Sequence, residues 1–217
     1  MPYEICVSIG NVKVDEYIAL IKANKMAEIR LDLMDIAITN DDIKKIFSSS
    51  NNLIATCRAS KDFDDEKRFK VLCHAIDAGA KYVDVEVDAS DDFKEKIITY
   101  LRSKSKKLII SYHNFEKTPS REELEHTVEW CKSYKPDLIK TACLSHSKRD
   151  NARLLSLIDC DTPMIVIGMG KEGRATRFLA PLLGAFCSFA SPEGYAVTAP
   201  GQVTSKELEA FLGSYKG

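Results

Sequence analysis

The sequence predicts an α/β protein built as one (β/α)8 TIM barrel, a single domain over residues 1–217. Three observations predict it. Eight short apolar runs rich in β-branched residues recur with centres roughly every 22 to 29 residues, the pitch of a strand plus a helix. Between them the apolar residues switch to helical spacing. The first strand-to-helix junction, Ser8-Ile-Gly-Asn-Val12, lacks the glycine-rich nucleotide loop that the rival architecture, an open doubly wound sheet, carries early in the chain.

Taken in order, the predicted strands are 5–8, 27–32, 53–58, 82–87, 108–113, 138–141, 164–168 and 186–189. Each is short and apolar, as a parallel strand covered on both faces is. Phe69, Leu72, Cys73 and Ile76 form a helical stripe that stops at Gly79, and Phe93, Ile97, Ile98 and Leu101 form a second. Ser120 with Glu123 and Thr204 with Glu207 fit the capping box, and Ser147 with Asp150 resembles it. Gly168-Met-Gly170-Lys-Glu-Gly173 matches a dinucleotide pattern, but only 44 residues follow Gly173, too few for the rest of such a domain. These glycines are better suited to a close backbone approach to substrate or a tight turn into the next helix.

The composition, 29% charged and 45% apolar, is that of an ordinary globular protein, and the net charge of -1 argues against nucleic acid or acidic lipid as a partner. Seven scattered cysteines without a C-x-x-C suggest neither disulfides nor zinc. No leader and no stretch approaching a membrane span is evident, so a cytoplasmic protein is expected.

Barrel enzymes take their active-site groups from the carboxyl ends of the strands. Here those ends supply Ser8, Glu28, Arg30, Arg58, Asp84, Glu86, Ser111, His113, Lys140 and Met169. Glu28 with Arg30, and Asp84 with Glu86, share faces by the two-residue period, and structural ion pairs would explain each alone. The number of charges at positions that stability would fill with Val, Ile and Leu argues for a polar pocket. Lys140 ends an apolar run, where burial favours the neutral, nucleophilic amine suited to imine formation; the alternative is an ammonium that snorkels to water. His113, on the preceding strand, suits proton transfer. No metal-ligand spacing is present, and imine chemistry needs neither metal nor cofactor.

With these residues assembled, the chain resembles the type I 3-dehydroquinate dehydratases. The markers are Glu28-Ile-Arg30-Leu-Asp32, Arg58, Asp84-Val-Glu86, Ser111-Tyr-His113, Lys140, Met169 to Gly173 with Arg177, and Ala199-Pro-Gly-Gln202, in order along nearly the whole chain. The resemblance implies conversion of 3-dehydroquinate to 3-dehydroshikimate and water by syn elimination through an imine on Lys140. His113 would move the protons, Glu28 and Arg30 bind ring hydroxyls, and Arg177 hold the carboxylate with Arg58 and Ser8 nearby. Residues 191–202 would form a lid reaching substrate through Thr198 and Gln202, with Met169 and Phe189 in support. Asp62 stands where the family often has a glutamate that orients the histidine, so Asp62, Asp84 and Glu86 all remain candidates for that role. Thr198 replaces a common serine, and Ile167 a common methionine. A monofunctional homodimer in aromatic biosynthesis is the implied setting. The alternatives are a class I aldolase, which would need a phosphate nest near residues 168–173, and an inactive barrel kept as a binding protein.

Overall fold

Strand and helix alternate along residues 3–34 and 38–215, the part of the chain that the computed structural model describes. The chain divides into two compact units, Ser8–Ile109 and Met1–Val7 with Ile110–Gly217.

In the unit of residues 8–109, α1 (Val14–Ala23), β2 (Met26–Arg30), α2 (Asn40–Phe47), β3 (Leu53–Thr56), α3 (Asp65–Ala78), β4 (Tyr82–Glu86) and α4 (Asp91–Ser103) follow the end of β1 (Ile5–Ile9). β2, β3 and β4 pair in parallel, with Arg30 opposite Thr56 and Thr56 opposite Asp84. The Lys107 N–H donates to the Lys81 carbonyl at 2.9 Å, which sets the start of β5 (Lys107–Asn114) beside that of β4. Asp64 caps α3 by accepting the Lys67 N–H at 2.9 Å, and Gly79, at φ 123°, ends it as expected. The expected α4 stripe is buried in full. The α3 stripe differs: its buried residues are Arg68, Leu72, Ala75 and Ile76, while Phe69 and Cys73 are half-exposed. The cause is Arg68, whose polar end is satisfied inside.

In the other unit, α5 (Arg121–Lys132), β6 (Leu138–Leu144), α6 (Lys148–Ser156), β7 (Met164–Met169), α7 (Gly170–Leu182), β8 (Ser188–Ser191), β9 (Val203–Thr204) and α8 (Ser205–Gly213) follow the end of β5. β6 lies between β5 and β7, with Lys140 opposite Ile165. The Phe186 N–H, just before β8, donates to Met164 of β7 at 2.8 Å, and β8 pairs with β1, Phe189 opposite Cys6. All of these pairings are parallel. The capping boxes of α5 and α8 form as expected. At α6, Ser147 accepts the Asp150 N–H at 3.2 Å, but the Asp150 carboxylate reaches past the cap to the His146 N–H at 2.8 Å and also binds Arg153.

Three differences bear on the site. β6 continues through Ala142, Cys143 and Leu144, so Lys140 is its third residue and not its end; the run of small and apolar residues past Thr141 keeps the strand buried. β8 begins at Ser188, two residues later than expected. The two-residue β9 pairs with β8 because Val203 packs into a cluster with Ala190 and Leu208.

Candidate active site

Residues 8–109 hold a dense ionic array. Glu28 is buried and accepts from Ser8 Oγ at 2.5 Å and Thr56 Oγ1 at 3.0 Å. Ser8, expected near substrate, therefore orients Glu28. Arg30 donates Nε and NH2 to the two oxygens of Asp32, at 3.0 and 2.6 Å, a bidentate pair that fixes the guanidinium plane. Although burial pulls the Arg30 pKa down, that bond and Glu28 leave it raised.

Arg58 lies two residues beyond β3, next to the charges at the end of β4. Its NH2 donates to Asp84 Oδ2 at 2.8 Å, and NH1 is 3.8 Å from Glu86 Oε1. Burial opposes its charge, but Asp84 and Glu86 outweigh burial and raise its pKa. The other Glu86 oxygen accepts from Arg68 NH2 at 2.7 Å. Burial raises the Glu86 pKa despite both arginines. Asp62 is exposed; its backbone N–H meets Ser60 Oγ at 3.3 Å, and its carboxylate makes no hydrogen bond or ion pair among the described residues. Of the three candidate partners for His113, Asp62 is thus solvated and Glu86 is engaged by two arginines.

The second group lies in the other unit. Lys140 is 4% exposed, which rejects the snorkelling alternative, and its Nζ sits 4.1 Å from the centroid of the Phe189 ring. His113 is half-buried, one residue before the end of β5, and stacks on Phe115 with centroids 6.0 Å apart and planes 12° apart. In the β6–β7 register Met169 and Ile167 share the face of Lys140.

Arg177 on α7 is 1% exposed. Its NH1 donates to the Phe189 carbonyl at 3.0 Å, while Nε and NH2 have no hydrogen-bond partner among the described residues. Burial, with Arg174 adding to it, pulls its pKa down to about 10. Phe189 thus touches both basic side chains, Lys140 through its ring and Arg177 through its carbonyl. Two dry, unpartnered guanidinium nitrogens are costly, and an anion is what would satisfy them.

The loop before β9 is seated on the start of α7. The Gly170 N–H donates to the Pro200 carbonyl at 3.3 Å, and a Cβ on Gly201, at φ 72°, would lie 2.3 Å from the Gly170 oxygen. Gln202 is buried, and its Oε1 accepts from the Thr198 N–H at 2.9 Å and the Thr198 hydroxyl at 3.3 Å. The Gly168 to Gly173 stretch is a packed turn. The Gly168 N–H is bound to Thr176 Oγ1 at 2.7 Å, and a Cβ on Gly173 would lie 2.3 Å from the Gly168 carbon. With Gly168 so engaged and the two glycines in contact, the stretch does not open into the phosphate nest that an aldolase reading needs. Among the described residues no three His, Cys, Asp or Glu side chains gather as a metal ion requires.

The model of one family, the type I 3-dehydroquinases, matches residues 5–217. The chain belongs to that family. It is 36% identical over 217 residues to a 3-dehydroquinate dehydratase of Methanococcus maripaludis, covering 96% of this chain and 94% of that one. Among solved structures, the type I 3-dehydroquinate dehydratase of Clostridium difficile aligns with a TM-score of 0.84 at 24% identity, covering 98% of this chain and 91% of that one. The Geobacillus kaustophilus enzyme aligns at 0.83 and 20%, covering 100% and 93%. These two likenesses show the fold, the TIM barrel of the family, as the repeat of strand and helix predicts.

Sequence reasoning missed three residues. Thr56 holds Glu28, and its signal was the two-residue period that puts it on the face of Arg58. Asp32 follows Arg30 by the same spacing and stands among the family markers, but nothing in the sequence gives it the task of fixing that guanidinium. Arg68 had no sequence signal, since an arginine on a charged helix reads as solvent-facing.

Proposed function

We propose that this chain dehydrates 3-dehydroquinate to 3-dehydroshikimate through an imine on Lys140. The observation that carries the reading is the double contact of Phe189 with the buried Lys140 amine and with Arg177, whose Nε and NH2 await a partner. A small cyclic keto acid has the two groups such a pair would take: a ketone for the amine and a carboxylate for the guanidinium.

In this mechanism the Lys140 amine adds to the C3 carbonyl and water leaves, with His113 moving the protons. The iminium acidifies C2, and His113 takes a proton there to give the enamine. The enamine expels the C1 hydroxyl, protonated by His113, on the same face. Water then hydrolyses the conjugated imine, releasing 3-dehydroshikimate and the free amine. Glu28 and Arg30 have geometry fixed by Ser8, Thr56 and Asp32, which suits them to orient ring hydroxyls. Arg58 would assist nearby, and Thr198 and Gln202 would turn their mutual hydrogen bond toward substrate.

The finer setting is also proposed: one catalytic domain over residues 1–217, a homodimer, cytoplasmic, serving chorismate and aromatic amino-acid biosynthesis, without nucleic acid or membrane as partner. No helix among the described residues is long and apolar enough to cross a membrane. Light scattering tests the dimer.

The decisive experiment adds borohydride with 3-dehydroquinate and weighs the protein. A stable adduct on Lys140, absent in Lys140→Ala, with the conjugated enone product appearing in the ultraviolet, is expected. Turnover that survives in Lys140→Ala, or an adduct that forms elsewhere, would reject the imine mechanism.

A further inference from the structure

Arg68 is the most conspicuous group that the proposed mechanism leaves unused. It sits in the second turn of α3 and is 2% exposed. Its Nε donates to the Cys57 carbonyl at 2.9 Å, NH1 to Asp65 Oδ1 at 2.9 Å and NH2 to Glu86 Oε2 at 2.7 Å. Its guanidinium carbon lies 4.2 Å from the centroid of the Phe93 ring. Such stacking fixes the plane of the fork as well as its direction.

Two of those three hydrogen bonds end on groups that set Arg58. Cys57 is its chain neighbour, and the Glu86 carboxylate that Arg68 grips presents its other oxygen 3.8 Å from Arg58 NH1. Asp84 holds the opposite nitrogen of the Arg58 fork at 2.8 Å. Stability alone explains the arrangement poorly, because a buried ion pair is on average no better than well-packed apolar side chains of the same volume. An apolar residue at 68 would also have completed the apolar face of Leu72, Ala75 and Ile76.

We infer that Arg68 is a positioning residue for the reaction: through the Cys57 carbonyl and the Glu86 carboxylate it fixes the main chain and side chain of Arg58. The kinetic part of this inference rests on the dehydratase reading, and the geometric part does not.

The test compares wild type with Arg68→Lys, which keeps the charge but cannot span Cys57 and Glu86 with one planar fork. Leu72→Ala is the control, since it loosens the same helix by opening a cavity in its fully buried face. The first readout is the nitrogen-15 relaxation of the Arg58 Nε–H, assigned by its loss in Arg58→Lys. It becomes mobile in Arg68→Lys and stays rigid in Leu72→Ala. The second is steady-state kinetics on 3-dehydroquinate. Misplacing a substrate-facing group by a fraction of an ångström lowers kcat/KM on the order of 10- to 100-fold, carried mainly by KM, and Arg68→Lys adds little further once Arg58→Lys is present. Equal loosening of Arg58 in Arg68→Lys and Leu72→Ala, or additive effects of the two arginine variants, would overturn the inference and leave Arg68 a packing residue. A wild-type protein without turnover would sink the dehydratase reading instead, and the relaxation data would still decide whether Arg68 holds Arg58.

Discussion

Arg177→Met should make the unliganded protein more stable and nearly useless. Burial drops the Arg177 pKa well below the ordinary arginine value, to about 10. A fall of ~2.5 units at 1.36 kcal/mol each places about 3 kcal/mol of destabilisation on the charged side chain at neutral pH. Methionine keeps an unbranched stem in the space and loses one hydrogen bond, that of NH1 to the Phe189 carbonyl. Such a bond contributes about 1 to 1.5 kcal/mol net, so the variant gains about 2 kcal/mol. In a chain of this length that raises the melting temperature by roughly 4 to 8 °C. The sign with pH follows. Because burial lowers the folded-state pKa below that of the unfolded chain, the wild-type penalty shrinks, and the gap between the two proteins closes, as pH rises through about 10. For substrate the effect is opposite. Two charge-assisted hydrogen bonds to a carboxylate contribute about 1.5 to 3 kcal/mol each, so KM rises at least about a hundredfold. Thermal melts without ligand and product absorbance kinetics make both measurements. A variant that melts lower and keeps the wild-type KM would refute the claim that Arg177 waits for an anion.

Two further outcomes are expected alongside the Lys140 trapping and the Arg68 comparison. Gly201→Ala puts a Cβ 2.3 Å from the Gly170 oxygen at φ 72°, so the 191–202 loop should lift from α7. KM should then rise while the melting temperature falls by no more than roughly 2 to 4 °C, the effect of about 1 kcal/mol; unchanged kinetics would mean the seat is dispensable. Glu207 accepts the Thr204 N–H, which is the main reason its pKa lies below 4.5. Its contribution is lost as pH falls through the folded pKa, so Glu207→Ala should melt below wild type at pH 7, and the two melting temperatures should converge as the pH is lowered through the acid range.

The parts of the fold legible in the sequence are those whose chemistry is local. Ser120 and Thr204 carry their box partners three residues on, and Gly79 ends α3 because the backbone there needs a conformation glycine tolerates. The α4 stripe of Phe93, Ile97, Ile98 and Leu101 keeps helical spacing throughout, so its period reads clearly even though Lys94 is buried beside it, donating to the Val87 carbonyl. What did not read is what depends on partners distant in sequence. Lys140 looked like the end of a strand because a charge in an apolar run suggests a boundary. The strand instead runs four residues further, and the lysine lies deep within it, against a phenylalanine 49 positions away. Arg68 broke the α3 stripe for the same reason: Glu86 and the Cys57 carbonyl make an arginine tolerable where the pattern called for an apolar residue.

The same logic separates three arginines that look alike in sequence. Arg30 follows Glu28 by two residues and precedes Asp32 by two, and its fork is filled by that aspartate. Arg58 faces Asp84 and Glu86, which stand two residues apart on one strand. Arg177 has no carboxylate partner among the described residues, and its pKa moves down where those of the other two move up. An anionic substrate gains most where positive charge is both desolvated and uncompensated, because the desolvation cost has already been met in folding and no resident carboxylate must be displaced. A compensated arginine offers orientation instead: its plane is fixed by its partner, and it presents its remaining N–H groups to neutral oxygens with little attraction for a second carboxylate. On the proposed dehydratase reading Arg177 would select for the acid, while Arg30 would read the hydroxyls of the ring. A substrate analogue without its carboxylate should therefore lose its dependence on Arg177 and keep its dependence on Arg30.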